Sequence, residues 1–243
     1  MARTETTNDA RYALLAGLID HAPLFPPASL PLAEALADHR RALASPHSWL
    51  VARFVCAASR LDELEGAALR LSLVIDGPAP FARLDERVEA VEGRDVGLTR
   101  LGRETYVEVP PEASLDEIKA AGARAKVRCG PTPPPIEALG GFVRRCRDEG
   151  VVFKATAGLH HAVTTDDQLG FLNLLAAAVF AGDEERALGE PNPEAFAFDD
   201  GFTWRDKTAT AEEVGHVRRR LFASIGSCSF DDPVGELEAL GLL

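Results

Sequence analysis

Short apolar runs alternate with longer segments of helical period along most of the chain. The strand-like runs are "ALLAGLID" (13–20), "SWLVARFVCA" (48–57), "LRLSLVID" (69–76), "VGLTRL" (96–101), "ETYVEVPP" (104–111), "RAKVRCG" (124–130), "VVFKATAG" (151–158), "EAFAFDD" (194–200) and "ASIGS" (223–227). Between them, helical period predicts helices over 29–44, with Ser29 as a cap, and over 59–69, 79–93, 114–122, 134–150, 166–182, 210–222 and 232–241. Gly150 closes the fifth of these, and Pro233 suits the first turn of the last. Residues 96–110 read either as a hairpin or as a β-α unit that has lost its helix.

Repeated β-α units over 243 residues point to a parallel sheet. Eight or nine strands at this length favour one closed (β/α)8 TIM barrel, spanning 1–243 as a single domain, over an open doubly wound sheet. No glycine-rich dinucleotide fingerprint follows the first strand.

In a parallel barrel, chemistry collects at the C-terminal ends of the strands. Those ends carry Asp20 and His21, Arg53, Asp76, Glu108, Lys126 and Arg128, and Lys154 and Thr156. Alternation along a strand puts Lys126 with Arg128 on one face, Lys154 with Thr156, and Glu108 with Tyr106. One carboxylate and three cations would then share a mouth.

Composition sharpens this picture at one point. Of 26 basic residues only Lys119, Lys126, Lys154 and Lys207 are lysine. Where arginine has replaced lysine so widely, the surviving lysines are expected where an amine is needed. Lys119 and Lys207 sit in polar contexts, whereas Lys126 and Lys154 end apolar strands. A desolvated amine beside another cation loses its proton more easily and attacks carbonyls, which a guanidinium does not do.

These same residues carry a family resemblance. "LIDHAPLFPPAS", "YVEVPPEASLDEIKAAGARAKVRCG" and "VFKATAGLHH" resemble the opening "IDHT" stretch and the two lysine-bearing strands of deoxyribose-phosphate aldolase-like class I aldolases. Ile19, Asp20 and His21, then Lys126 and Gly130, then Lys154, Gly158 and Leu159 match. The resemblance implies a barrel in which Lys126 forms a Schiff base and Lys154 tunes it. It also implies an aspartate on the fourth strand that assists proton transfer, for which only Asp95 lies near. The late "G-T-S-S" phosphate loop is echoed by Gly226, Ser227, Cys228 and Ser229. Departures are Arg128 in place of a small residue, His160 in place of an arginine, and Asp231 and Asp232 beside the phosphate loop.

The expected function is a Schiff-base-forming lyase or aldolase acting on a small carbonyl compound without a cofactor. Lys126, Lys154, Glu108 and Asp20 would be its catalytic residues; Arg53, Arg128, Thr156, His160 and Ser227 would bind substrate. One alternative is a metal-dependent barrel using Asp20, His21, Glu108 and His160. Another is a non-catalytic barrel that holds a small anionic metabolite through Arg53, Arg128 and the lysines. A net charge of −12 argues against phosphate-backbone binding as the main business, so no nucleic-acid partner is expected. The first apolar run is too short to span a bilayer, and the four cysteines form no C-x-x-C pair. A cytoplasmic protein with no membrane association is expected, and self-assembly into a homo-oligomer stays open. His39, His47 and His216 read as surface residues, and Cys129 beside Arg128 as either a buried thiol or one of lowered pKa.

Overall fold

In a computed structural model that describes residues 9–78 and 84–243, eight parallel strands close into a barrel. The strands are β1 (Ile19–His21), β2 (Val51–Ala57), β3 (Leu71–Val74), β4 (Val88–Gly93), β5 (Glu104–Glu108), β6 (Arg124–Arg128), β7 (Phe153–Thr156) and β11 (Phe222–Ser227). They follow one another round the ring in chain order, and β11 returns to pair with β1. This is the (β/α)8 TIM-barrel architecture expected from the alternation. Helices α1 (Ala10–Leu15), α2 (Leu32–Ala44), α3 (Asp116–Ala120), α4 (Ile136–Glu149), α5 (Phe171–Val179), α6 (Glu184–Leu188), α7 (Ala211–Arg220) and α8 (Asp231–Ala239) complete the chain. Among the described residues no helix is long and apolar enough to cross a membrane.

The outward faces of the strands carry the core. Phe142 of α4, Phe153 of β7 and Phe222 of β11 stack edge to face, with centroids 5.3 and 4.9 Å apart. Outward-facing apolar side chains leave the inward positions free for polar ones, and those build the site. Beneath the barrel the half-buried Arg218 of α7 donates to the carbonyls of Phe222 and Ala223 and to those of Ala16 and Gly17. It thereby ties the segment before β1 to the start of β11. Burial brings its pKa down to about 10.

Five expectations change. The run 13–20 is not one strand: Asp9 accepts from the N–H groups of Arg11 and Tyr12 and caps α1, Gly17 turns the chain at φ +57°, and only Ile19–His21 joins the barrel. Helix α2 starts after Pro31 with no side-chain cap, so Ser29 is not its cap. Residues 59–69 hold a 3-10 turn (Ala58–Leu64) instead of an α-helix. The helix expected over 79–93 falls partly outside the described residues, and its end is strand β4. Finally, 96–101 is a 3-10 turn capped by Asp95, which settles 96–110 as a β-α unit that has lost its helix. The strand-like run 194–200 does form a strand, β8 (Phe196–Phe198), but outside the barrel. It pairs antiparallel with β9 (Phe202–Trp204), which pairs with β10 (Lys207–Ala209).

Candidate active site

Lys126 and Lys154 are register partners on β6 and β7, as Glu108 and Lys126 are on β5 and β6. Inward alternation turns these side chains into the barrel. Lys126 Nζ lies 3.1 Å from Glu92 Oε2 and 3.1 Å from Glu108 Oε2. Lys154 Nζ lies 2.8 Å from Glu92 Oε1 and is also bonded to Asp20 Oδ2. Glu92 therefore bridges the two ammonium groups. Ser72 Oγ donates to Glu92 at 2.7 Å, and Ser224 Oγ to Asp20 at 2.7 Å. Lys154 is fully buried and sits 5.1 Å over the ring of Tyr106.

The electrostatics follow from this geometry. Burial works against charge on Lys154, but the carboxylates of Asp20 and Glu92 outweigh it and hold its pKa above the ordinary lysine value. The expectation of a lowered pKa fails for this lysine, because its nearest neighbours are anions as well as a cation. Burial likewise disfavours charge on Glu92, yet Lys154 and Lys126 hold its carboxyl below the usual range. Glu108 is also held low, by Lys126, Arg94 and Arg128 against its burial. A low-dielectric interior makes each of these pairings strong and each loss expensive.

Above the cluster opens a cavity of about 860 Å³ at the C-terminal ends of the strands. Glu92, Glu108, Lys126 and Lys154 form its polar side. Arg128, Thr156 and His160 also line it. Gly130 and Gly158 let the loops after β6 and β7 touch: a Cβ on Gly130 would lie 2.9 Å from the backbone of Gly158, itself at φ +70°.

Other expected site residues lie elsewhere. Arg53 does not line the cavity. Its guanidinium pairs with Glu89 at 3.0 Å and Glu104 at 2.7 Å, because β2 places it near the N-terminal ends of β4 and β5. Asp20 lies beneath the cavity, bonded to Lys154 and Ser224. Ser227 is buried and spends its hydroxyl on the carbonyl of Ser229 at 2.7 Å. The four residues of the metal alternative do not converge. Asp20 and Glu108 hold the lysines; His21 faces His39 at 3.1 Å; His160 sits between Cys228 at 3.9 Å and Asp232 at 3.7 Å. Among the described residues no group of three His, Cys, Asp or Glu side chains is placed to hold a metal ion. His39 is buried, not at the surface, packed on His21 and Phe54. Burial lowers the pKa of both His21 and His39 to about 4. The same cause pushes Cys129 up to about 12, the reverse of a reactive thiol.

The residue that sequence reasoning missed is Glu92. In "VEAVEG" its charge reads as the polar face of a helix. The available signal was strand alternation in "AVEG", which puts Glu92 on the face of Ala90, opposite the outward-packed Val91. Asp95, the nearest aspartate in sequence, caps the following turn through the N–H of Gly97 at 2.7 Å and takes no part in the cluster.

No protein-family model matches the sequence, and no curated protein matches it. Among solved structures, a deoxyribose phosphate aldolase from Aeropyrum pernix, described as having a unique tetrameric structure, is similar at 17% identity. The superposition covers 99% of this chain and 100% of that chain, with a TM-score of 0.39.

Proposed function

We propose that the protein is a Schiff-base-forming lyase of aldolase type, with Lys126 as the nucleophile. The observation that supports this most directly is that Lys126 and Lys154 take opposite oxygens of one buried carboxylate, Glu92, at the floor of an open cavity. Lys154, bonded to two carboxylates and fully buried, remains an ammonium and serves as a fixed positive charge. Lys126 lines the cavity and contacts Glu108 at 3.1 Å, so its amine stands at the open side of the cluster.

In the forward step the neutral amine of Lys126 adds to the substrate carbonyl carbon, and the C=O pair moves to oxygen. The nitrogen passes one proton to that oxygen, solvent supplies a second, and loss of water leaves an iminium. A base, assigned here to Glu108, then removes the β-hydroxyl proton. The C–C bond between the α and β carbons breaks, its electron pair flows into the iminium, and an enamine and an aldehyde result. Water returns the enamine to the amine and the second carbonyl product. Asp20, through its bond to Lys154, positions the buried ammonium.

Borohydride reduction with a panel of short aldehydes and ketones, followed by intact mass and peptide mapping, tests the assignment. The expected adduct is on Lys126 and disappears in Lys126→Arg. Equal labelling of Lys119 and Lys207, or no adduct with any member of the panel, overturns it. A second reading, a barrel that only binds an anionic metabolite, has its own support: every charge in the cluster is already paired. Binding without any adduct would favour it.

A further inference from the structure

We infer that the substrate is an unphosphorylated oxo-acid with an apolar body, its carboxylate held at the β4–β6 side of the mouth. The chemistry at Lys126 rests on the proposed function above; the shape and charge of the cavity do not.

The place where a phosphate would be expected is built against one. Three donors of the loop from β11 to α8 are engaged internally: Ser227 Oγ with the Ser229 carbonyl, the Ser229 N–H with Ser227 Oγ, and the Asp232 N–H with Ser229 Oγ. Asp231 and Asp232 occupy the first turn of α8, so this helix start already carries two negative charges. His160, which borders the cavity, faces Asp232 at 3.7 Å. A phosphate dianion would meet repulsion there.

Positive charge gathers on another arc of the rim. Arg94 after β4, Glu108 at the end of β5 and Arg128 at the end of β6 stand on three consecutive strands. Glu108 is shared by Arg94 at 3.1 Å, Arg128 at 4.0 Å and Lys126 at 3.1 Å, so one carboxylate serves three cations. The arc has room for one more anion. Arg128 lies two residues beyond Lys126, a rise of roughly 7 Å. A carboxylate at Arg128 and a carbonyl at Lys126 thus suit an acid whose two groups are separated by several bonds. Of the other anions lining the cavity, Glu92 is held by both lysines, and Asp76 accepts from the hydroxyl and N–H of Ser59 in the turn after β2.

The opposite wall is apolar. In a ring of eight strands, β2 and β3 face β6 and β7 across the barrel. Val55 and Val74 on those strands, with Ile75, Phe25, Pro26 and Pro27, line that side. At about 860 Å³ the cavity is near the top of the roughly 300–1,000 Å³ range that holds drug-sized molecules. A three-carbon aldehyde would leave this wall wet.

The test separates recognition from chemistry. Phenylbutyrate, an acid with an apolar body and no carbonyl, is titrated calorimetrically into the wild type, Arg128→Gln and Asp232→Asn, each first shown to melt like the wild type. Binding is expected, weakened about tenfold by R128Q, as loss of one charge-assisted contact implies, and unaffected by D232N. Borohydride trapping then compares benzyl-extended levulinate, its methyl ester and glyceraldehyde phosphate. The free acid should be trapped at the lowest concentration. Trapping of glyceraldehyde phosphate as readily as the acid, or no binding of phenylbutyrate, overturns the inference. R128Q that binds phenylbutyrate like wild type overturns it too. If phenylbutyrate binds and R128Q weakens it but no oxo-acid is trapped, the substrate class stands and the imine assignment falls.

Discussion

Lys126 and Lys154, 28 residues apart, hold opposite oxygens of the same carboxylate, at 3.1 and 2.8 Å from Glu92. Two ammonium groups on adjacent strands would repel if nothing lay between them. The bridge turns that repulsion into a fixed spacing, and it makes Glu92 the residue on which both cations depend.

Replacing Glu92 by Gln keeps the shape but strands two buried cations. Stability should fall by roughly 3–5 kcal/mol, the usual cost of removing one partner of a buried ion pair. Adding Lys154→Met to Glu92→Gln should recover part of the loss. Urea midpoints of the single and double variants measure both effects, and an additive double variant would contradict the bridge.

The carboxyls of Glu92 and Glu108 are held low in the folded protein, so they add stability above about pH 4.5 that is lost as pH falls through their folded values. Lys154 is held high. Its contribution is complete below about pH 10.4 and is lost as pH rises through its folded value. Melting temperature against pH should show both limbs. Lys154→Met should flatten the alkaline limb and leave His-dependent changes untouched.

A third limb comes from the pair behind β1. His21 and His39 are folded with pKa near 4 against an ordinary 6.5, so both stay neutral where an unfolded chain takes up protons. Stability should decline from about pH 6.5 to 4, by about 2–3 kcal/mol for each histidine if uncoupled. His39→Phe should remove about half of that slope, because His21 stays buried. An unchanged slope would mean that the pair is hydrated and protonated in the native state.

Iodoacetamide at pH 8 should find little to alkylate in the native protein. Cys56 is pushed up to about 11 and Cys129 to about 12 by burial, and Cys146 is raised as well. Cys228, at the cavity wall and 9% exposed, is expected to react first and the other three only on unfolding. Mass spectrometry of a time course gives the order.

Gly130→Ala should be costly despite its small size. The new methyl would meet the Gly158 backbone at 2.9 Å, which is not a flexible side chain that can turn aside. A loss of about 1–3 kcal/mol is expected, as for other overpacking changes. A parallel loss of phenylbutyrate affinity should follow, because both loops border the cavity.

Much of the barrel was legible because period-two runs separated by helical ones leave few topologies for a chain of this length. The lysines stood out through their rarity, and register then delivered them to one place. What stayed hidden has physical causes. "ALLAGLID" is apolar at nearly every position, and such a run does not distinguish a buried helix from a buried strand; the Asp9 cap and Gly17 decide it. Glu92 and Arg53 are both charged residues within strands, and sequence does not say which finds its partners inside the barrel mouth. Strands β8–β10 satisfy the same alternation as barrel strands but pair with one another, a choice made by long-range geometry.

The clasp of Arg218 on the carbonyls of Ala16 and Gly17 has a consequence for biosynthesis. Ser224 must reach Asp20 across 204 residues, and Lys154 across 134. As the chain leaves the ribosome, β1 waits with one bare edge until nearly all the rest has emerged. Contacts of such long sequence separation form late and slowly. Throughout that interval the nascent protein holds an unpaired acid and an open sheet edge, the condition in which chaperone capture competes with misassembly. The site is thus the last part of the molecule to exist, and its first appearance coincides with closure of the ring.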